Sequence, residues 1–188
     1  MRQVEGDLWD FFGKCWVVVP TNIGWRPQPD PEDPTAPCGP APMGAGVAGQ
    51  LAERFPTAPY IWAFLCFKQR HATPVTWSPR GWIYFPTKAL DEKKPWLSWK
   101  AKSNIVLLER SLEQLASMPL PSQEARLGYP GGARFESSEV ALPFVGCGEG
   151  KLPEKKVLPL LEKYLDDRFV LVRYRNAAAP KDPEPYPF

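Results

Sequence analysis

Residues 138–174, SEVALPFVGCGEGKLPEKKVLPLLEKYLDDRFVLVRY, decide how this chain is read. Ser138–Val145 is a short apolar run that reads as a strand, and it opens into a glycine turn, Gly146–Gly150. Leu152–Asp167 follows as a helix. Pro153 sits near its first turn, where a missing N–H costs little, and Val157, Leu160, Leu161, Tyr164 and Leu165 form one apolar stripe. Arg168–Tyr174 then alternates into a final strand. Strand, glycine turn, helix and strand in this order form the unit from which α/β sheets are wound.

The rest of the chain extends the same alternation. Lys14–Pro20 (KCWVVVP) is a continuous apolar run between Gly13 and Pro20, the pattern of a strand buried on both faces. Gly44–Phe55 reads as a helix that starts from glycines and ends at Pro56. Tyr60–Lys68 and Val75–Trp77 read as strands joined by a turn at Gln69–Pro74, and Gly81–Phe85 as a strand that stops at Pro86. Ser98–Met118 carries Ile105, Leu108, Leu112 and Leu115 at helical spacing. The pattern predicts one α/β domain over residues 1–175, built as a three-layer α/β/α sandwich. A proline-rich insert interrupts it at about residues 23–42, with seven prolines, and a proline-rich tail follows at 176–188. Such long connections are commonly binding loops or lids.

Composition narrows the function classes. The chain has 188 residues, enough for one sizeable core, and 44% of them are hydrophobic, which excludes disorder as the default reading. Basic and acidic residues nearly cancel, 23 against 21, so no basic field recruits nucleic acid nonspecifically. The apolar runs are too short to span a bilayer, and MRQVEGDLWD has no apolar leader region. The widely spaced Cys15, Cys38, Cys66 and Cys147 read as free thiols of a reducing, cytoplasmic compartment. There is one histidine, His71, in the polar stretch KQRHATP, so a histidine-rich metal site is excluded and His-based triads would have to pass through that residue. No metal site is expected. Trp9, Trp16, Trp62 and Trp82 read as core; Trp25, Trp96 and Trp99 stand in loop-like surroundings, where one could stack on a base.

Two glycine loops carry the chemistry. Met43-Gly44-Ala45-Gly46-Val47-Ala48-Gly49 contains a GxGxxG, but no strand precedes it directly and no acid lies between Glu53 and Asp91, so it is not a dinucleotide fingerprint. Glycines at a helix start expose unpaired amides and a positive dipole end, which bind phosphate; close helix packing by small residues is the competing explanation. Gly146-Cys147-Gly148-Glu149-Gly150 lies at the C-terminal end of a strand, where open α/β sheets bind ligands. Two such loops suggest a ligand with two phosphates. Lys88, in Pro86-Thr87-Lys88, follows another strand and points towards the same crevice, as a phosphate partner, a nucleophile or an ordinary surface lysine.

These segments together resemble the macrodomains, which bind ADP-ribose, and within them the branch of DNA ADP-ribosyl-glycohydrolase antitoxins and terminal ADP-ribose protein glycohydrolases. The resemblance runs from about residue 4 to residue 172. It rests on Gly6-Asp7-Leu8-Trp9, Pro20-Thr21-Asn22, MGAGVA at 43–48 with Arg54-Phe55-Pro56, Phe85-Pro86-Thr87-Lys88, and Leu142-Pro143 through Gly146-Cys147-Gly148. It implies a mixed central sheet. It also implies that Asp7, with Leu8 beside it, meets the adenine, and that Asn22, with Thr21, meets the distal ribose. Met43, Gly44, Ala45, Gly46, Val47 and Ala48 would line one side of the diphosphate, and Gly146, Cys147, Gly148, Glu149 and Gly150 would close over the other.

The resemblance further implies that Lys88 attacks the anomeric carbon, with Glu149 handling the proton. Hydrolases of this branch often place an aspartate just after the glycine–cysteine–glycine segment, whereas this chain has Glu149 one position earlier. Where most macrodomains carry two asparagines, this chain has Val19 and Asn22. The expected function is therefore an ADP-ribosyl hydrolase acting on ADP-ribosylated DNA or protein, as a monomer, without a cofactor and away from membranes. The alternatives are a noncatalytic ADP-ribose-binding module and an ADP-ribose 1″-phosphate phosphatase.

Overall fold

Two strands with no polar face form the centre of the molecule. β2 (Trp16–Asn22) is buried apart from a half-buried Pro20, and β4 (Trp82–Lys88) is buried throughout. Such runs require cover on both sides of the sheet. In the computed structural model, which describes residues 1–27, 37–120 and 137–174, that cover is present. Six strands pair in the order β1-β6-β5-β2-β4-β3, the others being β1 (Arg2–Gly6), β3 (Thr76–Trp77), β5 (Val140–Leu142) and β6 (Phe169–Tyr174). All pairs are parallel except the antiparallel β3–β4 edge, so the sheet is mixed.

Alternate side chains divide between two helical layers. Trp16, Val18, Ile83, Phe85, Leu142 and Leu171 face Leu108, Leu112 and Leu115 of α3 (Ile105–Ser117) and Val157 and Leu161 of α4 (Glu154–Tyr164). On the other face, Val19, Trp82 and Tyr84 pack against Leu51 of α1 (Gly46–Arg54) and Trp62, Ala63 and Cys66 of α2 (Ala58–Gln69). Val17, Ala141 and Val170 continue that face beneath Leu8. The three-layer sandwich expected from the sequence is therefore the observed architecture. α3 begins where the Asn104 side chain accepts the amides of Val106 and Leu107, at 2.9 and 3.1 Å, an ordinary N-cap.

Three readings need correction. Tyr60–Lys68 is not a strand but most of helix α2. Pro59 in its first turn favours that start, and Ala58, Trp62, Ala63 and Cys66 are buried at helical spacing. The outward face, however, carries Tyr60, Ile61 and Phe64, so the sequence shows no polar stripe. β4 does not stop at Pro86 but continues through it to Lys88. The neighbouring β3 pairs only with Ile83 and Tyr84, so the missing N–H of Pro86 interrupts no ladder on that side. β2 likewise passes Pro20 to reach Asn22, because β5 has already ended beside Val17. β1, to which the sequence assigned no element, is an exposed edge strand paired only with β6.

Trp62 lies in α2 and is core, packed against the sheet, and Trp9 is not core but half-buried in a short 3₁₀ turn, Leu8–Phe11. Trp25 is buried, edge-on to Phe67 with ring centres 5.4 Å apart. The tail at 176–188 and the middle of the proline-rich insert lie outside the described residues.

Candidate functional site

β2 and β4 project beyond their neighbours, and their ends form the floor of a cavity of about 720 Å³. A register shift lets Asn22 pair with Lys88 one residue after Thr21 has paired with Pro86. This bulge brings the amide of Asn22 and the amine of Lys88 to one edge, a common device beside functional sites. α2 holds the arrangement from below. Trp62 stacks on Tyr84 with ring centres 4.9 Å apart and donates from Nε1 to the Asn22 carbonyl at 2.8 Å, while the Tyr84 hydroxyl donates to the Ala58 carbonyl at 3.0 Å.

The two glycine loops form facing walls. Gly46 opens α1 with a positive φ of 56°, and a Cβ there would stand 3.9 Å from Cγ of Glu149 on the opposite loop. The α1 N-cap, Ala45, offers no side-chain acceptor, so the helix presents its first amides to the cavity uncapped. Gly44 and Gly148 border open space, whereas Gly49 packs directly on the Gly44 backbone. Close packing by small residues therefore accounts for Gly49, while Gly44 leaves room beside the cavity. In the second loop, Gly150 lies so close to the Ser103 hydroxyl and the Gly146 carbonyl that no side chain fits.

Lys88 sits between these walls, 8% exposed, and its ammonium donates to the carbonyls of Trp99 at 2.6 Å and Glu149 at 3.0 Å. Burial lowers its pKa below the ordinary 10.5; the charge of Glu149 opposes that shift and the charge of Lys151 adds to it. Two buried polar atoms facing this end, Thr21 Oγ1 and Asn22 Nδ2, have no hydrogen-bond partner among the described residues. Buried polar atoms normally find partners, and these two line a cavity that could supply one.

Of the residues singled out in the sequence, Thr21, Asn22, Met43, Gly44, Ala45, Gly46, Val47, Ala48, Lys88, Gly146, Gly148, Glu149 and Gly150 line this one cavity. Asp7, Leu8 and Cys147 do not. The Asp7 carboxylate caps a 3₁₀ turn by accepting the Trp9 amide at 2.9 Å, Leu8 is core, and Cys147 is half-buried against the α3–α4 side. Burial pushes the Cys147 thiol up to about 11. His71 is exposed and pairs with Glu92 at 2.9 Å, far from this chemistry in role. Sequence reasoning missed Arg26, Tyr60 and Phe144, and it offered Trp99 as a stacking ring but not for its carbonyl. Tyr60 was hidden by the strand reading of α2, and the Trp99 carbonyl is a backbone group with no signature in sequence.

The sequence matches no protein-family model and no curated protein. Its fold is similar to solved structures. The macrodomain of Thermus aquaticus DarG is 20% identical, with a TM-score of 0.57 over 93% of this chain and 97% of that one. The macrodomain of Mycobacterium tuberculosis DarG is 19% identical, with a TM-score of 0.56 over 92% and 95%. Thermosipho africanus DarTG, solved in complex with ADP-ribose, is 20% identical with a TM-score of 0.57; the match covers 97% of this chain but 43% of that longer one. With the mixed sheet, the helical layers and the crevice at the strand ends all in place, the chain has the macrodomain fold.

Proposed function

We propose that this protein binds ADP-ribose in the cavity and hydrolyses its bond to a modified macromolecule. The carrying observation is Lys88, a buried lysine whose amine lies at the floor between two glycine-lined walls. The fold supports the ligand class, since a similar structure holds ADP-ribose. The uncapped amides of α1 suit a diphosphate, and the unpartnered Asn22 Nδ2 suits a ribose hydroxyl. In the reaction, the neutral Lys88 amine attacks C1″. A C1″–N bond forms as the bond to the macromolecule breaks, and the departing atom takes the electron pair and a proton, supplied through Glu149. Water then adds at C1″, the amine leaves, and free ADP-ribose and Lys88 are regenerated.

Calorimetric titration with ADP-ribose tests the first half. The native protein should bind, and Gly148→Glu, which places a carboxylate in open space beside the diphosphate seat, should not. Absence of binding at millimolar ligand would overturn the reading. For the second half, Lys88→Ala should still bind ADP-ribose while release from ADP-ribosylated DNA or protein falls by roughly 10³-fold. One observation favours a noncatalytic binding module instead: the carbonyls of Trp99 and Glu149 both stabilise the protonated amine. Tight binding with no release from either substrate class would establish that alternative.

A further inference from the structure

Among the described residues, three aromatic side chains border the cavity: Tyr60, Trp99 and Phe144. They stand in different parts of it. Trp99 is at the reacting end, where its own carbonyl holds the Lys88 amine at 2.6 Å. Tyr60 belongs to α2, the helix that supports β2 and β4 through Trp62 and Tyr84. Phe144 follows β5, which lies two strands from β4 across the sheet, about 10 Å at ordinary strand spacing. A ligand whose reacting sugar meets Lys88, with its diphosphate between the glycine walls, carries its base towards Phe144.

That ring is fixed in place. Phe144 is half-buried and packs on the core shared with α3 and α4. The Arg173 guanidinium lies over it, 4.4 Å from the ring centre. Arg173 is itself held, donating from Nε to the Gln3 side chain at 3.0 Å and from a terminal nitrogen to Glu154 at 3.1 Å. It does not border the cavity, so it backs the ring from the side turned away. A ring held from behind, with open space in front, is a platform on which a planar base can stack. Nothing comparable reads the edge of a base. Asp7 lies outside the cavity with its carboxylate bonded to the Trp9 amide. Glu149 is the one acid among the described lining residues, and it stands between the glycine walls.

We propose that Phe144, backed by Arg173, seats the base of the bound nucleotide by its face, and that the site does not read the 6-amino edge of adenine. The cavity then accepts purine nucleoside diphosphate riboses as a class, hypoxanthine as well as adenine. This rests on the reading of the cavity as an ADP-ribose site and adds a specificity-determining residue to it. Stacking on an aromatic side chain tolerates different bases, because each has a π face, and its loss lowers affinity by roughly five- to 150-fold.

The test is calorimetric titration of the full chain with ADP-ribose and with inosine diphosphate ribose, which carries an oxygen in place of the 6-amino group. The native protein should bind the two within about fivefold of each other, as face-on stacking requires. Phe144→Leu keeps apolar volume against the core and should weaken ADP-ribose by roughly five- to 150-fold, while Phe144→Trp should stay within about threefold of native. Asp7→Asn should also stay within about threefold, since its carboxylate serves its own turn. A wider gap between the two ligands, a smaller loss in Phe144→Leu, or a larger loss in Asp7→Asn would overturn the proposal. The ligand comparison needs no variant, so a poorly folded Phe144→Leu cannot mask the result. ADP-ribose that fails to bind the native protein would remove the ligand reading itself. ADP-ribose bound equally by native and Phe144→Leu proteins would keep that reading and remove the stacking seat, so the two fail separately.

Discussion

Lys88 unites burial, charge and reach in one side chain. Desolvation lowers its pKa, so the folded protein releases this proton at lower pH than the unfolded chain does. The nucleophilic fraction grows as pH rises through that lowered value. Hydrolysis should therefore climb with pH and level off below 10.5, the ordinary lysine value; a pH profile of kcat/KM that falls over this range would remove the amine mechanism. Cys147 lies in the same loop yet offers no competing nucleophile. With its thiol pushed up to about 11, only about one molecule in a thousand carries the thiolate at pH 8. Iodoacetamide should label it roughly 100-fold more slowly than an unperturbed thiol, as mass spectrometry of the alkylated peptide would show. At this scale the sequence was most informative where chemistry resides in side chains. Lys88, Asn22 and both glycine loops converge as read, whereas the Trp99 carbonyl was invisible and Asp7 turns to cap its own turn.

Elements were legible where their two sides differ, or where both are equally buried. β2, α4 and β6 stand within a few residues of their sequence readings, because a helical stripe or an unbroken valine run reflects its cover directly. α3 ends as read but begins at Ile105 and not Ser98, since Pro95–Lys100 forms a separate 3₁₀ turn and Asn104 caps the helix. α2 broke the rule by being apolar on its solvent side, and β1 by pairing on one edge only, with Val4 its sole apolar residue. Prolines misled for a related reason, since a proline ends a strand only where a neighbour needs its N–H. Within the second glycine loop, the glycines also differ in kind. Gly150→Ala should cost about 1–3 kcal/mol, because its Cβ would collide with Ser103 and the Gly146 carbonyl. Gly148→Ala, facing open space, should stay within about 0.5 kcal/mol of native. Urea denaturation of both variants separates them; equal losses would mean the loop tolerates or rejects side chains without regard to packing.

Across the whole molecule, the sandwich was readable because strands and helices alternate, while the partition of its surface was not. Tyr60, Ile61 and Phe64 expose 42%, 49% and 46% of their area on one side of α2, next to the cavity mouth that Tyr60 also lines. Replacing Ile61 and Phe64 by serine should raise the concentration at which the protein remains clear, with a melting temperature within a few degrees of native. Light scattering and thermal denaturation would check both; a large drop in melting temperature would show that these side chains hold the fold.

The pairing of β1 with β6 has a consequence for how the molecule is born. Residues 2–6 leave the ribosome before the other strands of the sheet, yet the strand they dock against is residues 169–174, the last strand of the sheet in sequence order. Throughout synthesis the opening segment must wait, while the central strands and their helices can already assemble. Asp7 and Leu8, directly behind it, wait with it. That edge is therefore the last part of the sheet to close, and its completion certifies that the strands between have arrived.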